Sequence, residues 1–355
     1  MLRRTQATLF KPTSTLRSLR NYTDDASYIG LTAEQKEFYD TNGYLHIRGA
    51  LSDDVCDALR FRAIHHLAQF DPNAYQKSIF SSTHQTRFSD SYFLESGHQI
   101  RYFFEEKAFD DDGNLAVPVN QAINKIGHNL HSLDPAFRAV SFSPHVIGIL
   151  KSLGYIKPVL PQSMYIFKQP SIGGEVLPHQ DGTYLYTEPQ SVVGFWWALE
   201  DCTTMNGMSN LDPAVVMLSC DAVLLGCLYG VAGSHKTTPV QQRFLRTTPY
   251  DGQNLTADKD APLLTTSGQA DFDTSQGRPI LTKKGDLVLL HNAFVHYSHA
   301  NTSLTSRHAY TIHAVETHET DSPATNWLQF PPGMTFPPLF ATSTSASQTP
   351  HDNEH

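Results

Sequence analysis

Asp286-Leu-Val-Leu-Leu-His-Asn-Ala-Phe-Val-His-Tyr-Ser-His299 is the stretch on which the fold reading turns. Its first five residues, Asp286–Leu290, form a short apolar run that reads as a buried strand. The run feeds directly into three histidines, His291, His296 and His299. Other β-rich runs of similar length surround it from residue 159 onward: Gln162–Lys168, Val192–Leu199 and Tyr310–Val315. Clusters of Gly, Pro and Asn separate them, as turns require.

Upstream the texture is helical. Thr32 and Gln35 stand three apart as in a capping box, and Gly43 supplies a stop, which gives a helix over Thr32–Asp40. Tyr44–Arg48 alternates like a strand. Ser52 with Asp53 and Asp54 opens a second helix, whose apolar face runs Val55, Leu59, Ala63, Leu67. Further helices are expected over Val119–Leu130 and Val146–Leu153. Helices first and many short strands after them give an α+β chain built around a sandwich or barrel, without internal repeats.

The 355 residues carry 26 Lys+Arg against 35 Asp+Glu, a formal net charge of −9. An acidic chain lacks the basic face that a general nucleic-acid binder needs to displace counterions. No stretch reaches the roughly 18–20 apolar residues that span a bilayer; Ala214–Gly233 is broken by Ser219, Asp221, Gly226 and Gly230. Four cysteines, Cys56, Cys202, Cys220 and Cys227, show no CxxC pair and read as reduced buried thiols. Residues 1–30 form a basic N-terminal segment. Arg3, Arg4, Lys11, Arg17 and Arg20 precede the first acids, Asp24 and Asp25, which fits a mitochondrial transit peptide or a plain basic tail. The expected location is mitochondrial or cytoplasmic. Residues 341–355 are Ser/Thr-rich and read as a disordered tail; they do not end in Ser-Lys-Leu, so that peroxisomal address is not expected. Residues 31–340 form one domain, assumed monomeric.

Histidine is the outlier, at 18 residues. In His179-Gln-Asp181, side chains at i and i+2 of an extended segment point to one side, so an imidazole and a carboxylate can share a metal ion. Alone the spacing is uninformative: chance gives about 1.8 His-x-Asp/Glu matches in this composition, and the chain has one. A further histidine from the opening stretch would complete a two-histidine, one-carboxylate face, which leaves three positions on an iron(II) ion free. A 2-oxo acid takes two and dioxygen the third. An arginine is then wanted for a distal carboxylate, and Arg307 lies just before Tyr310–Val315. Composition and spacing do not choose among His291, His296, His299 and His308.

Several long strings resemble the phytanoyl-CoA dioxygenase family: Ile123-Asn-Lys-Ile-Gly-His128, Gln162-Ser-Met-Tyr-Ile-Phe-Lys-Gln-Pro170, Gly173-Gly-Glu-Val176, His179-Gln-Asp181, Tyr184-Leu-Tyr-Thr-Glu-Pro189, Gly233-Ser-His235 and Asn326-Trp-Leu-Gln329. The resemblance covers roughly residues 32–340. It implies a double-stranded β-helix, a cupin-like jelly-roll with supporting N-terminal helices. It also implies Fe(2+) held by His179, Asp181 and His296, and 2-oxoglutarate as co-substrate with O2. Arg307 would hold the distal carboxylate, with Ser298 close by, and Lys125, Met164 and Trp196 would be further co-substrate contacts. Read without the resemblance, Lys125 is a solvated helix lysine, and Met164 and Trp196 are ordinary core residues. The implied activity is hydroxylation of a small organic molecule with release of succinate and CO2. A jelly-roll that binds metal and 2-oxoglutarate without turnover, and a zinc hydrolase on a similar barrel, are the other classes.

One region departs from the family pattern. Asn206-Gly207 is followed by Met208–Gly226 before Cys227-Leu-Tyr-Gly-Val-Ala-Gly-Ser-His235, and deleting Met208–Gly226 restores Asn-Gly-Cys. The segment is 19 residues, or 57 nucleotides in frame. Gly207-Met208 can be encoded with a GTATG donor, and Leu225-Gly226 can carry an AG acceptor. It is read as a retained short intron, the alternative being a genuine surface loop.

Overall fold

The computed structural model describes residues 30–72, 77–80, 90–202, 226–247, 250 and 262–340. Both expected tails, apart from residue 30, and residues 208–225 of the atypical segment lie outside this set.

Fourteen strands are described: β1 (Tyr44–Ile47), β2 (Ile79–Phe80), β3 (Ile100–Glu105), β4 (Ile123–His128), β5 (Pro158–Ile166), β6 (Val176–His179), β7 (Val193–Ala198), β8 (Leu228–Gly230), β9 (Arg243–Arg246), β10 (Leu264–Ser267), β11 (Arg278–Ile280), β12 (Leu287–His291), β13 (His296–Ser298) and β14 (Ala309–Glu316). They form an eight-stranded sheet in the order β1-β12-β7-β14-β5-β4-β3-β2, a four-stranded sheet β11-β8-β13-β6, and a β9–β10 pair. All pairings are antiparallel except β2–β3.

Period-two alternation sends each central strand to two destinations. Val193, Phe195 and Trp197 of β7, Leu287 and Leu289 of β12, and Tyr310, Ile312 and Ala314 of β14 face one apolar cluster. That cluster also takes Leu59 and Ala63 from the helix Asp53–Gln69 and Phe137 from the helix Pro135–Ser141. The intervening residues Trp196, Ala198, Val288, Leu290 and Ala309 face the four-stranded sheet and pack with Leu228, Ile280 and Phe294. Helices therefore cover one side of the large sheet, and the small sheet covers the other.

The capping signals hold. Thr32 and Gln35 form a capping box at the start of Ala33–Asn42, and Gly43 ends that helix with φ +80°. Ser52 caps Asp53–Gln69. Asp134 caps Pro135–Ser141 and also accepts from Arg62 Nε at 3.0 Å and His66 at 2.9 Å, which ties two helices together.

Two expectations need correction. Val119–Leu130 is not one helix: Val119–Ala122 is helical, Ile123–His128 is strand β4, and Leu130 opens a separate short helix, Leu130–Leu133. All six β4 residues are buried between β3 and β5, so ladder pairing from distant segments overrides a local pattern that also fits a helix. Nor do helices simply precede strands, since β1 to β4 lie among the helices and extend both edges of the large sheet.

Candidate metal centre

His179 ends β6 and His296 opens β13, directly opposite each other in the ladder. Their ring centroids are 4.2 Å apart. Gln180 is extended, with φ −122° and ψ 136°, and Asp181 begins a short 3₁₀ turn. The side chain of Gln180 points away and donates to Thr238 O at 2.6 Å and Ala293 O at 2.8 Å. His179 and Asp181 are thereby left on one side, as the i, i+2 spacing requires. One ligand atom from each of His179, Asp181 and His296 lies within 4.8 Å of the others.

Both imidazoles are oriented alike. His179 Nδ1 donates to Leu177 O at 2.8 Å, and His296 Nδ1 to Phe294 O at 3.0 Å. A backbone carbonyl two residues upstream fixes each tautomer and leaves Nε2 with its lone pair free. Burial, then the neighbouring His296 ring, pushes the His179 pKa down to about 3, which keeps the ligand neutral. Asp181 is buried, which alone would raise its carboxyl pKa; the facing His313 and His296 imidazoles outweigh burial and hold it below the usual range. His313 Nε2 is 3.5 Å from Asp181 Oδ2, too far for a good bond, and Oδ2 has no hydrogen-bond partner among the described residues. Room for the carboxylate depends on Gly194 in β7, where a Cβ would stand 2.8 Å from Oδ2. An ionised, under-bonded carboxylate beside two aligned imidazoles is a donor set that fits a divalent cation.

The triad opens on a cavity of about 490 Å³, which Arg307, Ser298, Lys125, Met164 and Trp196 also line. Arg307 is buried, donates from Nη2 to Gly226 O at 2.8 Å, and stands 5.2 Å from the Trp196 ring. Its Nε and Nη1 have no hydrogen-bond partner among the described residues. Ser298 Oγ accepts from Lys168. Lys125 is not a solvated helix lysine: it is buried in β4, 3.7 Å from Met164 Sδ and 3.7 Å from the centre of the Phe80 ring. The competing histidines are engaged elsewhere. His291 packs on His235 and Tyr39, His299 on Tyr229, and His308 Nδ1 pairs with the Tyr165 hydroxyl at 2.7 Å.

Two residues of the site escaped the sequence reading. His313 sits on β14 facing Asp181, and Lys168 faces Ser298. His313 is the second polar residue, after Thr311, of the otherwise apolar run Tyr310–Val315, a signal that was readable. Lys168 lies within the Gln162–Pro170 string, but no spacing marks it. The thiols of Cys56, Cys202 and Cys227 are free and buried, as expected. No helix among the described residues is long and apolar enough to cross a membrane.

A family model described as phytanoyl-CoA dioxygenase (PhyH) matches residues 39–208 and 213–309. A phytanoyl-CoA dioxygenase of Arabidopsis thaliana is 42% identical over 300 residues, covering 84% of this chain and 94% of the relative. Phytanoyl-CoA dioxygenase domain-containing protein 1 of Danio rerio is 40% identical over 316 residues, covering 87% and 99%. Among solved structures, the epimerase SnoN in complex with Fe3+, alpha ketoglutarate and nogalamycin RO aligns at a TM-score of 0.52 and 15% identity, covering 86% of this chain and 98% of that one. At that identity the likeness supports a shared sheet-rich fold.

Proposed function

The chain belongs to the phytanoyl-CoA dioxygenase family, and from that premise we propose that it is an Fe(II)- and 2-oxoglutarate-dependent dioxygenase that hydroxylates a small organic substrate, with release of succinate and CO2. The carrying observation is the convergence of His179, Asp181 and His296 at one wall of the cavity that Arg307 also enters. We read the two facing sheets as the two sides of a double-stranded β-helix.

His179, Asp181 and His296 would hold the iron, which when bound supplies open positions for a 2-oxo acid and dioxygen. The residues of the chain contribute orientation and charge. The Leu177 and Phe294 carbonyls keep both Nε2 lone pairs aimed inward. Asp181 contributes the single negative charge of the triad. Arg307 offers a buried fork with two unsatisfied nitrogens, which matches the distal carboxylate of 2-oxoglutarate in geometry and charge. Trp196 backs that fork.

Beyond the triad the wall is aromatic. Tyr184 lies 5.9 Å from the His179 ring, and Phe93 stacks on Trp327 at 4.6 Å. A cavity of about 490 Å³ with these walls suits a compact, largely apolar substrate that excludes water from the reacting atoms.

Anaerobic reconstitution with Fe(II) and 2-oxoglutarate, followed by oxygen and a succinate assay across small organic candidates, tests the reading. Succinate should form, and His179→Ala should abolish it; decarboxylation that persists in that variant would remove the assignment. One observation favours the reading as a binding module without turnover. The atypical segment ends at Gly226, whose carbonyl takes a bond from Arg307. Tight 2-oxoglutarate binding with no succinate under any substrate would select that alternative.

A further inference from the structure

Besides Arg307 and Lys125, the cavity is lined by a further buried basic side chain. Lys168 is 1% exposed and lines the cavity. Its φ is +43°, in the left-handed region that a residue with a long side chain rarely adopts. The ammonium donates to Ser298 Oγ at 3.0 Å and to Gly174 O at 2.5 Å.

Lys168 and Arg307 are joined through the backbone as well. The Lys168 carbonyl accepts from Asn301 Nδ2 at 2.9 Å and from the Arg307 amide at 3.4 Å. Gly226, whose carbonyl binds Arg307 Nη2, also packs on the lysine stem: a Cβ there would stand 2.4 Å from Lys168 Cε. Two like charges held this close in a buried place are costly. Burial, then Arg307, pushes the lysine pKa down to about 7, and Glu105 pulls the other way.

The nearby carboxylates are engaged or screened. Glu105 is buried and bonds the Gly174 amide at 3.0 Å. Glu175 is exposed, and its field is screened. Glu200 is taken up by Arg60, Ser306 and the His308 amide. The Lys168 side chain and the Arg307 fork line the same cavity, so a carboxylate bound at this end would meet both.

We propose that Lys168 is a second cationic contact for the distal carboxylate of the 2-oxo acid, acting with Arg307 and Ser298 to select dicarboxylic over monocarboxylic 2-oxo acids. The inference rests on the 2-oxoglutarate reading above.

Calorimetry on the full chain loaded with Mn(II) under anaerobic conditions tests it without turnover. The two probes are 2-oxoglutarate and 2-oxopentanoate, which lacks the distal carboxylate. Lys168→Met should weaken 2-oxoglutarate binding about ten- to a hundredfold and leave 2-oxopentanoate binding nearly unchanged. Lys168→Gln, which keeps a donor for Ser298 and so protects the fold, should show the same selectivity loss in smaller degree. Equal weakening of both probes would mean a structural role and would overturn the inference. Unchanged 2-oxoglutarate affinity in both variants, with loss in Arg307→Gln, would overturn it and leave the functional reading intact. No 2-oxoglutarate binding by the unaltered chain would remove both.

Discussion

The cavity is walled by two apolar clusters of different origin. Trp196, Leu290 and Leu228 come from paired strands of the two sheets and are backed by Val288 and Phe294. Phe93, Leu185 and Trp327 come from a short helix and turns, and are backed by Phe244 of the small β9–β10 pair. The first wall backs Arg307; the second reaches the triad through Tyr184. Ladder register fixes every side chain on the sheet-built wall at once, whereas the other wall is set by individual contacts between segments far apart in the chain. The sheet-built end therefore suits an invariant co-substrate, and the loop-built end suits a substrate whose identity can vary.

The largest expected effect tests the sheet-built end at its centre. His179→Ala removes one of two facing imidazoles from the β6–β13 ladder. Succinate formation should fall to background, and Mn(II) affinity, read by calorimetry, should fall with it. Next comes Arg307→Gln, which deletes the buried fork. Affinity for 2-oxoglutarate should drop about ten- to a hundredfold, with thermal stability and metal affinity little changed. The loop-built wall should answer differently. Trp327→Phe should raise KM for an accepted primary substrate about tenfold while 2-oxoglutarate affinity stays within about twofold. If Trp327→Phe weakened 2-oxoglutarate as much as Arg307→Gln does, the two ends would not be separate.

Acid should distinguish the interior from both walls. His131 on the helix side is pushed down to about 3, and His291 and His308 to about 4, in each case first by burial. Their folded pKa values lie below the unfolded value of about 6.5, so the unfolded chain takes up protons first as pH falls. Stability is flat above about 6.5 and declines through pH 6 to 4. Thermal midpoints at pH 7.5, 6, 5 and 4.5 should fall in that order. His308→Gln, which still offers a partner to Tyr165, should flatten the profile; an unchanged slope would assign the acid sensitivity to other groups.

The sequence made some of this architecture readable and hid the rest for identifiable reasons. Helix ends were legible because caps are local: Thr32, Gln35, Gly43 and Ser52 act within four residues of themselves. The long strands β5, β7, β12 and β14 were legible as β-rich runs. Strand β4 was not, because Asn124 and Lys125 are polar yet buried, and only pairing with β3 and β5 explains that. At the centre, spacing made His179 and Asp181 a weak pair, and the choice of His296 needed resemblance, since ladder partnership across 117 positions leaves no local mark. Lys168 escaped for the same reason: its partners Ser298 and Asn301 lie about 130 residues away.

The smallest expected effect concerns the atypical segment. Gly226 has φ +59°, and a Cβ there would meet Lys168 Cε at 2.4 Å, so the position demands glycine on two counts. Its carbonyl also holds Arg307. Deleting Met208–Gly226 joins Gly207 to Cys227 and so places a glycine in the same relation to Cys227. The link between Cys202 and Cys227 shortens from 24 residues to 5. Those two cysteines already share one small cluster, so a short link suffices, and loop closure becomes easier by about 1 kcal/mol. The deletion variant should therefore bind 2-oxoglutarate within about twofold of the full chain and melt slightly higher. Gly226→Ala in the full chain should do worse on both measurements, because it keeps the long link and loses the glycine. If the deletion variant lost 2-oxoglutarate binding while Gly226→Ala kept it, the segment would be an integral part of the co-substrate wall.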